Sequence, residues 1–166
     1  MIIFSASHAT AQNTVYYEFL PNAAGEIDKD GFDIGYHAVF SQWDGNGDQN
    51  VSEEELFKVL FSRLDKDTNN YLTAEEWKVA QKYFLNITSF SLEFKKLDLD
   101  GDANLTVSEF DSAMKNSGLF SYHDTNRDGL LTRKELNTMI YQLMDLDKSG
   151  FIDQKEFGLL QALFID

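Results

Sequence analysis

The side chains of this chain best able to do chemistry are carboxylates, and they recur at fixed spacing. Five twelve-residue segments, Asp44–Glu55, Asp65–Glu76, Asp98–Glu109, Asp124–Glu135 and Asp145–Glu156, follow one rule. Asp stands first, oxygen-bearing residues fill alternate places, an aliphatic holds the eighth and Glu the twelfth. That pattern suits a hard divalent cation. Ca²⁺ takes about 6–8 oxygens at roughly 2.3–2.6 Å, and a short loop supplies them when alternate residues and the last one turn inward.

The ligand places can be read off loop by loop. The first loop offers Asp44, Asn46, Asp48, the Asn50 carbonyl, Ser52 and Glu55; the second offers Asp65, Asp67, Asn69, the Tyr71 carbonyl, Thr73 and Glu76. In the third these are Asp98, Asp100, Asp102, the Asn104 carbonyl, Thr106 and Glu109. The fourth has Asp124, Asn126, Asp128, the Leu130 carbonyl, Thr132 and Glu135, and the fifth Asp145, Asp147, Ser149, the Phe151 carbonyl, Asp153 and Glu156. A terminal Glu can bind through both oxygens, which favours calcium over octahedral magnesium. The cofactor expectation is therefore Ca²⁺, up to about five ions by these loops, with Mg²⁺ at weaker occupancy. The eighth residues, Val51, Leu72, Leu105, Leu131 and Ile152, are expected to form short strands pairing one loop with another.

These segments resemble the EF-hand family from about Ile34 to the C-terminus; Asp145–Glu156 and Asp124–Glu135 match its loop best. The resemblance implies an all-α fold of helix–loop–helix units. Its sixth loop place favours glycine because it needs positive φ. Gly129 and Gly150 satisfy this, whereas the first three loops carry Gln49, Asn70 and Ala103, so weaker binding is expected at the first and third. Aligning Gly31 to the sixth place gives a possible degenerate loop at 26–37, with Glu26, Asp28 and Asp30 at early ligand places but His37 at the twelfth. It reads as a polar turn or a decayed hand.

The elements that position the loops follow from spacing. First residues of successive loops are 21, 33, 26 and 21 positions apart. A gap of 21 leaves only nine residues between loops, Leu56–Leu64 or Leu136–Met144, so each must be one helix shared by two loops. Loops joined this way are not expected to pair with each other, and the second and third are the expected pair. Apolar stripes flank the loops: Tyr36, Val39, Phe40 and Trp43; Trp77, Ala80 and Phe84; Phe90, Phe94 and Leu97; Phe110, Ala113 and Met114; and Phe157, Leu160, Leu163 and Phe164. The division expected is an N-terminal extension over 1–25 with a short helix near Val15–Leu20, a lobe over 26–116 and a second over 117–166, the break falling at Asn116-Ser117-Gly118; the two lobes could equally pack as one domain.

Composition narrows function. A net charge of −14 with 14 Phe, 7 Tyr and 2 Trp describes an acidic chain with ample core, and argues against nucleic acid or anionic membranes as partners. No apolar run reaches a membrane span and no leader is evident, so a cytoplasmic location is expected, with secretion open should a signal peptide have been removed. Asn86-Ile87-Thr88 would then be a glycosylation acceptor. Cysteine is absent, and His8, His37 and His123 fall in no zinc or nucleophile motif, so no enzyme activity is expected. The expected function is calcium binding, as a buffer or calcium-stabilised structural protein. Two alternatives stay open: a sensor exposing an apolar surface to a protein partner, for which only Met114, Met139 and Met144 are available, or a carrier of a small apolar ligand.

Overall fold

A computed structural model describes residues 19–36, 40–84 and 93–158. Helices are Lys29–Tyr36 (α1), Glu53–Leu64 (α2), Ala74–Phe84 (α3), Phe94–Leu97 (α4), Val107–Ser117 (α5), Leu119–His123 (α6) and Arg133–Met144 (α7). A 3₁₀ turn occupies Phe40–Gln42, and residues 154–158 begin a closing helix. The strands are three residues each: Asn50–Ser52 (β1), Tyr71–Thr73 (β2), Asn104–Thr106 (β3) and Leu130–Thr132 (β4).

The chemistry of each loop also builds its helices. Ser52, Thr106 and Thr132 are N-caps whose hydroxyls accept from the backbone N–H three residues on, while Glu55, Glu109 and Glu135 accept in return from the cap N–H. This capping box starts a helix at the end of the loop. At the other end, the N–H of Asp65, Asp98, Asp124 and Asp145 donates to the last turn of the entering helix. One set of residues thus ends one helix and begins the next.

Both predicted shared helices are present. α2 and α7 are 12 residues each, about 18 Å at 1.5 Å per residue. Leu56, Phe57, Leu60, Phe61 and Leu64 are buried in α2, with Val59 partly so. Six apolar residues in so short a helix confine its solvent-facing side to one stripe, Glu54, Lys58 and Ser62.

The strands pair in a nested order. β2 pairs antiparallel with β3 as expected, setting Leu72 opposite Leu105. β1 pairs with β4, setting Val51 opposite Leu131. The outermost pair is a single bridge between Ile27 and Ile152. All six aliphatics are 0% exposed. β1 lies in the 26–116 stretch and β4 in 117–166, and one buried cluster draws on both, so the two stretches share a core. At the suggested break, Gly118 (φ 71°) ends α5 in left-handed geometry and α6 follows directly.

Residues 26–37 do not form the loop suggested by aligning Gly31. α1 fills Lys29–Tyr36, and Ile27 precedes it in the bridge; His37 lies outside the described residues. Leu20 is non-helical with φ 49°, and Val15 lies outside the described residues, as do Val39, Phe90, Leu160, Leu163, Phe164, His8 and the Asn86-Ile87-Thr88 tripeptide.

Aromatic rings fill the centre. Phe110 meets Phe57, Phe61 and Trp77 edge-on at 6.5, 5.4 and 6.0 Å. A second group joins Phe19, Phe32, Tyr36, Tyr141 and Phe157. Tyr36, Phe40, Trp43, Ala80, Leu97, Ala113 and Met114 are buried, as their stripes predict.

Candidate metal centres

Each loop closes on its own carboxylates in the same way. The Oδ2 of the first Asp accepts from the sixth-place N–H: Gln49 to Asp44 at 2.9 Å, Asn70 to Asp65 at 2.9 Å, Ala103 to Asp98 at 3.0 Å, Gly129 to Asp124 at 2.9 Å and Gly150 to Asp145 at 2.9 Å. The fifth residue accepts from the seventh N–H, tying Asp48 to Asn50, Asn69 to Tyr71, Asp102 to Asn104, Asp128 to Leu130 and Ser149 to Phe151. Third-place Asn46, Asp67, Asp100, Asn126 and Asp147 accept from the fifth N–H.

The twelfth Glu reaches across each loop. One oxygen accepts from the start of the loop: from Asn46 to Glu55 at 3.1 Å, Lys66 to Glu76 at 2.9 Å, Leu99 to Glu109 at 2.7 Å, Thr125 to Glu135 at 2.9 Å and Leu146 to Glu156 at 2.8 Å. The other accepts from the ninth-place N–H of Ser52, Thr73, Thr106, Thr132 or Asp153. Burial pushes the Glu55, Glu76 and Glu109 carboxyls up, but the hydrogen bonds outweigh it and hold all three below the ordinary value. Glu135, with an extra bond from the Thr125 hydroxyl, falls to about 2. These four clamps are thus anionic, and all five reach across their loops.

The donor set fits a hard dication. Oxygens of Asp65, Asp67 and Glu76 lie within 4.8 Å of one another, as do those of Asp98, Asp100 and Asp102 and those of Asp145, Asp147 and Glu156. The first and fourth loops place Asn46 and Asn126 where the second, third and fifth have Asp, and their side-chain amides donate to Asp48 and Asp128. Asn50, Tyr71, Asn104 and Leu130 each open a strand, and Phe151 precedes the bridging Ile152, so every seventh-place residue sits beside a strand pair.

Backbone geometry shows what the sequence reading missed. The sixth place is left-handed in every loop: Gln49 (φ 71°), Asn70 (66°), Ala103 (69°), Gly129 (83°) and Gly150 (85°). The fourth place is left-handed too, at Gly47 (77°), Thr68 (57°), Gly101 (76°), Arg127 (60°) and Lys148 (59°). The first and third loops therefore place their glycine at the fourth position instead of the sixth. They carry one strained non-glycine residue each, as the fourth and fifth loops do. The second loop alone has no glycine at either position, and its Thr68 is β-branched, the type that resists this geometry most. Gly47 and Gly101 were the signal.

His123 closes α6 and is buried, with Nε2 lacking a partner; burial lowers its pKa to about 4. It is neutral at ordinary pH. Among the described residues, no helix is long and apolar enough to cross a membrane.

Residues 117–140 and 142–161 match the family described as EF hand. The chain is 29% identical over 102 residues to calcium-dependent protein kinase 31 of Arabidopsis thaliana, covering 52% of this chain and 21% of that protein. It is 28% identical over 137 residues to calcium-dependent protein kinase 11 of Oryza sativa subsp. japonica, covering 66% and 24%. It is also 33% identical over 104 residues to mitochondrial substrate carrier family protein C of Dictyostelium discoideum, covering 57% and 22%. The chain spans less than a quarter of the length of these relatives.

Proposed function

This chain belongs to the EF-hand calcium-binding family, and from that premise we propose that it binds calcium in all five loops and serves as a calcium buffer or calcium-stabilised structural unit. The observation that carries the five-site reading is the shared hydrogen-bond frame: in every loop the first Asp takes the sixth N–H and the twelfth Glu spans both loop ends. Residues already held in that frame lose little freedom when an ion arrives.

When bound, the ion supplies positive charge to a crowd of carboxylates. The side chains of Asp44, Asp65, Asp98, Asp124 and Asp145 hold one end of each site and the five Glu clamps the other. Five dications would cancel ten of the charges behind the net −14, relieving repulsion that opposes the folded chain. Binding and folding are therefore linked.

The buffer reading draws support from the core. Met114, Met139 and Met144, the adaptable side chains a sensor would present, are each 0% exposed. The aliphatics that close the loops are equally buried. Binding alone accounts for the carboxylates, and the reading includes no catalytic step.

The test is a calcium titration of chelator-treated chain, followed by an apolar-surface dye and near-UV circular dichroism. A buffer tightens its near-UV signal with no rise in dye fluorescence. A large rise in dye binding on calcium addition would overturn the buffer role in favour of a sensor.

A further inference from the structure

Loops one to four are paired among themselves, and loop five finds its partner at the start of the described chain. Ile27 N–H donates to the Ile152 carbonyl at 2.9 Å, and Ile152 N–H returns a bond to Ile27 at 2.8 Å. In the other pairs, the residues so opposed are both eighth in their loops. Placing Ile27 eighth makes residues 20–31 a twelve-residue loop, six positions earlier than Gly31 alone suggests.

The local geometry agrees at the third, sixth, ninth and tenth places, and differs at the fourth, where Ala23 is not left-handed. Asn22, third, accepts from the Ala24 N–H at 2.8 Å, as Asn46 accepts from Asp48 at 2.8 Å. Gly25, sixth, has φ 79°. Asp28, ninth, accepts from the twelfth-place Gly31 N–H at 2.8 Å, as Asp153 accepts from Glu156 at 2.7 Å. α1 begins at the tenth place, Lys29, as α2 begins at Glu53.

What this hand lacks is a way to hold metal. Leu20 stands first, Ala24 fifth and Gly31 twelfth, so no carboxylate occupies those places. A β-carbon on Gly31 would sit 2.6 Å from the Phe19 carbonyl oxygen, and one on Gly35 2.5 Å from the Phe19 ring. The clamp position is closed by the chain itself. Phe19, 1% exposed, fills that seat and meets Phe157, the residue after the loop-five clamp, edge-on at 5.1 Å. Behind the bridge, Tyr141 O–H donates to the Gly150 carbonyl at 2.6 Å, and its ring meets Phe32 of α1 at 5.4 Å.

We propose that residues 19–36 form a sixth, metal-free hand whose role is to preorganise loop five, so that calcium affinity at Asp145–Glu156 depends on Phe19 and Ile27. This rests on the reading of loop five as a calcium site. The hand touches loop five at its eighth residue through the bridge and just past its clamp through Phe19, while Tyr141 of α7, packed on Phe32, holds the sixth-place Gly150 carbonyl. Such a partner removes ordering that loop five would otherwise undergo on binding. Phe19 and Ile27 are positioning residues and contribute no ligand.

The experiment uses the full chain and calcium calorimetry. E156Q identifies the ion of loop five as the one it loses. I27A and F19L are expected to weaken that same ion about tenfold, within the usual range of coupling between sites, and to leave the other four loops unchanged. In an E156Q background I27A is expected to have no further effect on calcium binding. Unchanged affinity at loop five in both variants, or an equal shift at all loops, overturns the proposal. Because either substitution could unfold the chain, amide exchange on the unsubstituted protein gives an independent arm. By reciprocity, calcium is expected to slow exchange at Ile27 in the unsubstituted chain and not in E156Q. Calcium uptake at loop five with no effect at Ile27 overturns the sixth-hand role alone; no uptake at loop five in the unsubstituted chain overturns the site reading as well.

Discussion

Val51 lies directly opposite Leu131, each at the eighth place of its loop and each 0% exposed. These residues belong to the first and fourth loops, whereas the nearest loop in sequence to the first is the second, joined to it through α2. Strand pairing and helix sharing therefore connect different loops. The pairing sets a backbone ladder directly between two loops, while the shared helix holds its two loops about 18 Å apart.

Coupling between ions is expected to follow the strands. E55Q removes a clamp oxygen from the first loop and is expected to weaken loop four severalfold through Val51 and Leu131, with loop two affected less. Site-resolved calcium titration by NMR reads both. A larger effect at loop two would mean that α2 carries the coupling.

The second loop is where backbone strain concentrates. Left-handed geometry at a non-glycine residue costs roughly 1–2 kcal/mol, and Thr68 carries it at φ 57° with Asn70 at φ 66°. T68G is expected to stabilise the chain by about 0.5–1 kcal/mol after allowing for glycine's greater entropy loss. Urea unfolding in calcium-saturated buffer measures it. The same change at Lys58, inside α2, is expected to destabilise by about 0.5–1 kcal/mol.

Phe110 holds α2 and α3 together, with Phe57, Phe61 and Trp77 packed edge-on around it. F110A is expected to cost about 3–5 kcal/mol. Phe151, 38% exposed, offers the control. F151A is expected to cost well under half as much by the same denaturation assay.

Much of this was legible in the residues. The loop spacing dictated helices α2 and α7, because nine residues between loops leave no room for two helices and a turn. The pairing of Leu72 with Leu105 also followed, since the wide gap between those loops leaves room for α3, a connection and α4. The nested pairs could not be read. Nothing in a three-residue strand such as Asn50–Ser52 names its partner; the packing of helices decides it. The sixth hand escaped for a different reason. Its ligands are gone, and what survives is Gly25 for the turn and Ile27 for the bridge, a signal far weaker than a row of carboxylates. Gly31 does not mark the sixth place of a loop, because what requires glycine there is the close approach of Phe19. The left-handed fourth place is hard to read because only Gly47 and Gly101 mark it, while Thr68, Arg127 and Lys148 adopt the same geometry without glycine.

Counting ions addresses the central claim most directly. Chelator-treated chain titrated with calcium by isothermal calorimetry is expected to take up five ions, and E55Q, E76Q, E109Q, E135Q and E156Q to lose or severely weaken one each. No stoichiometric uptake at millimolar calcium, or full uptake retained in every variant, would contradict the account.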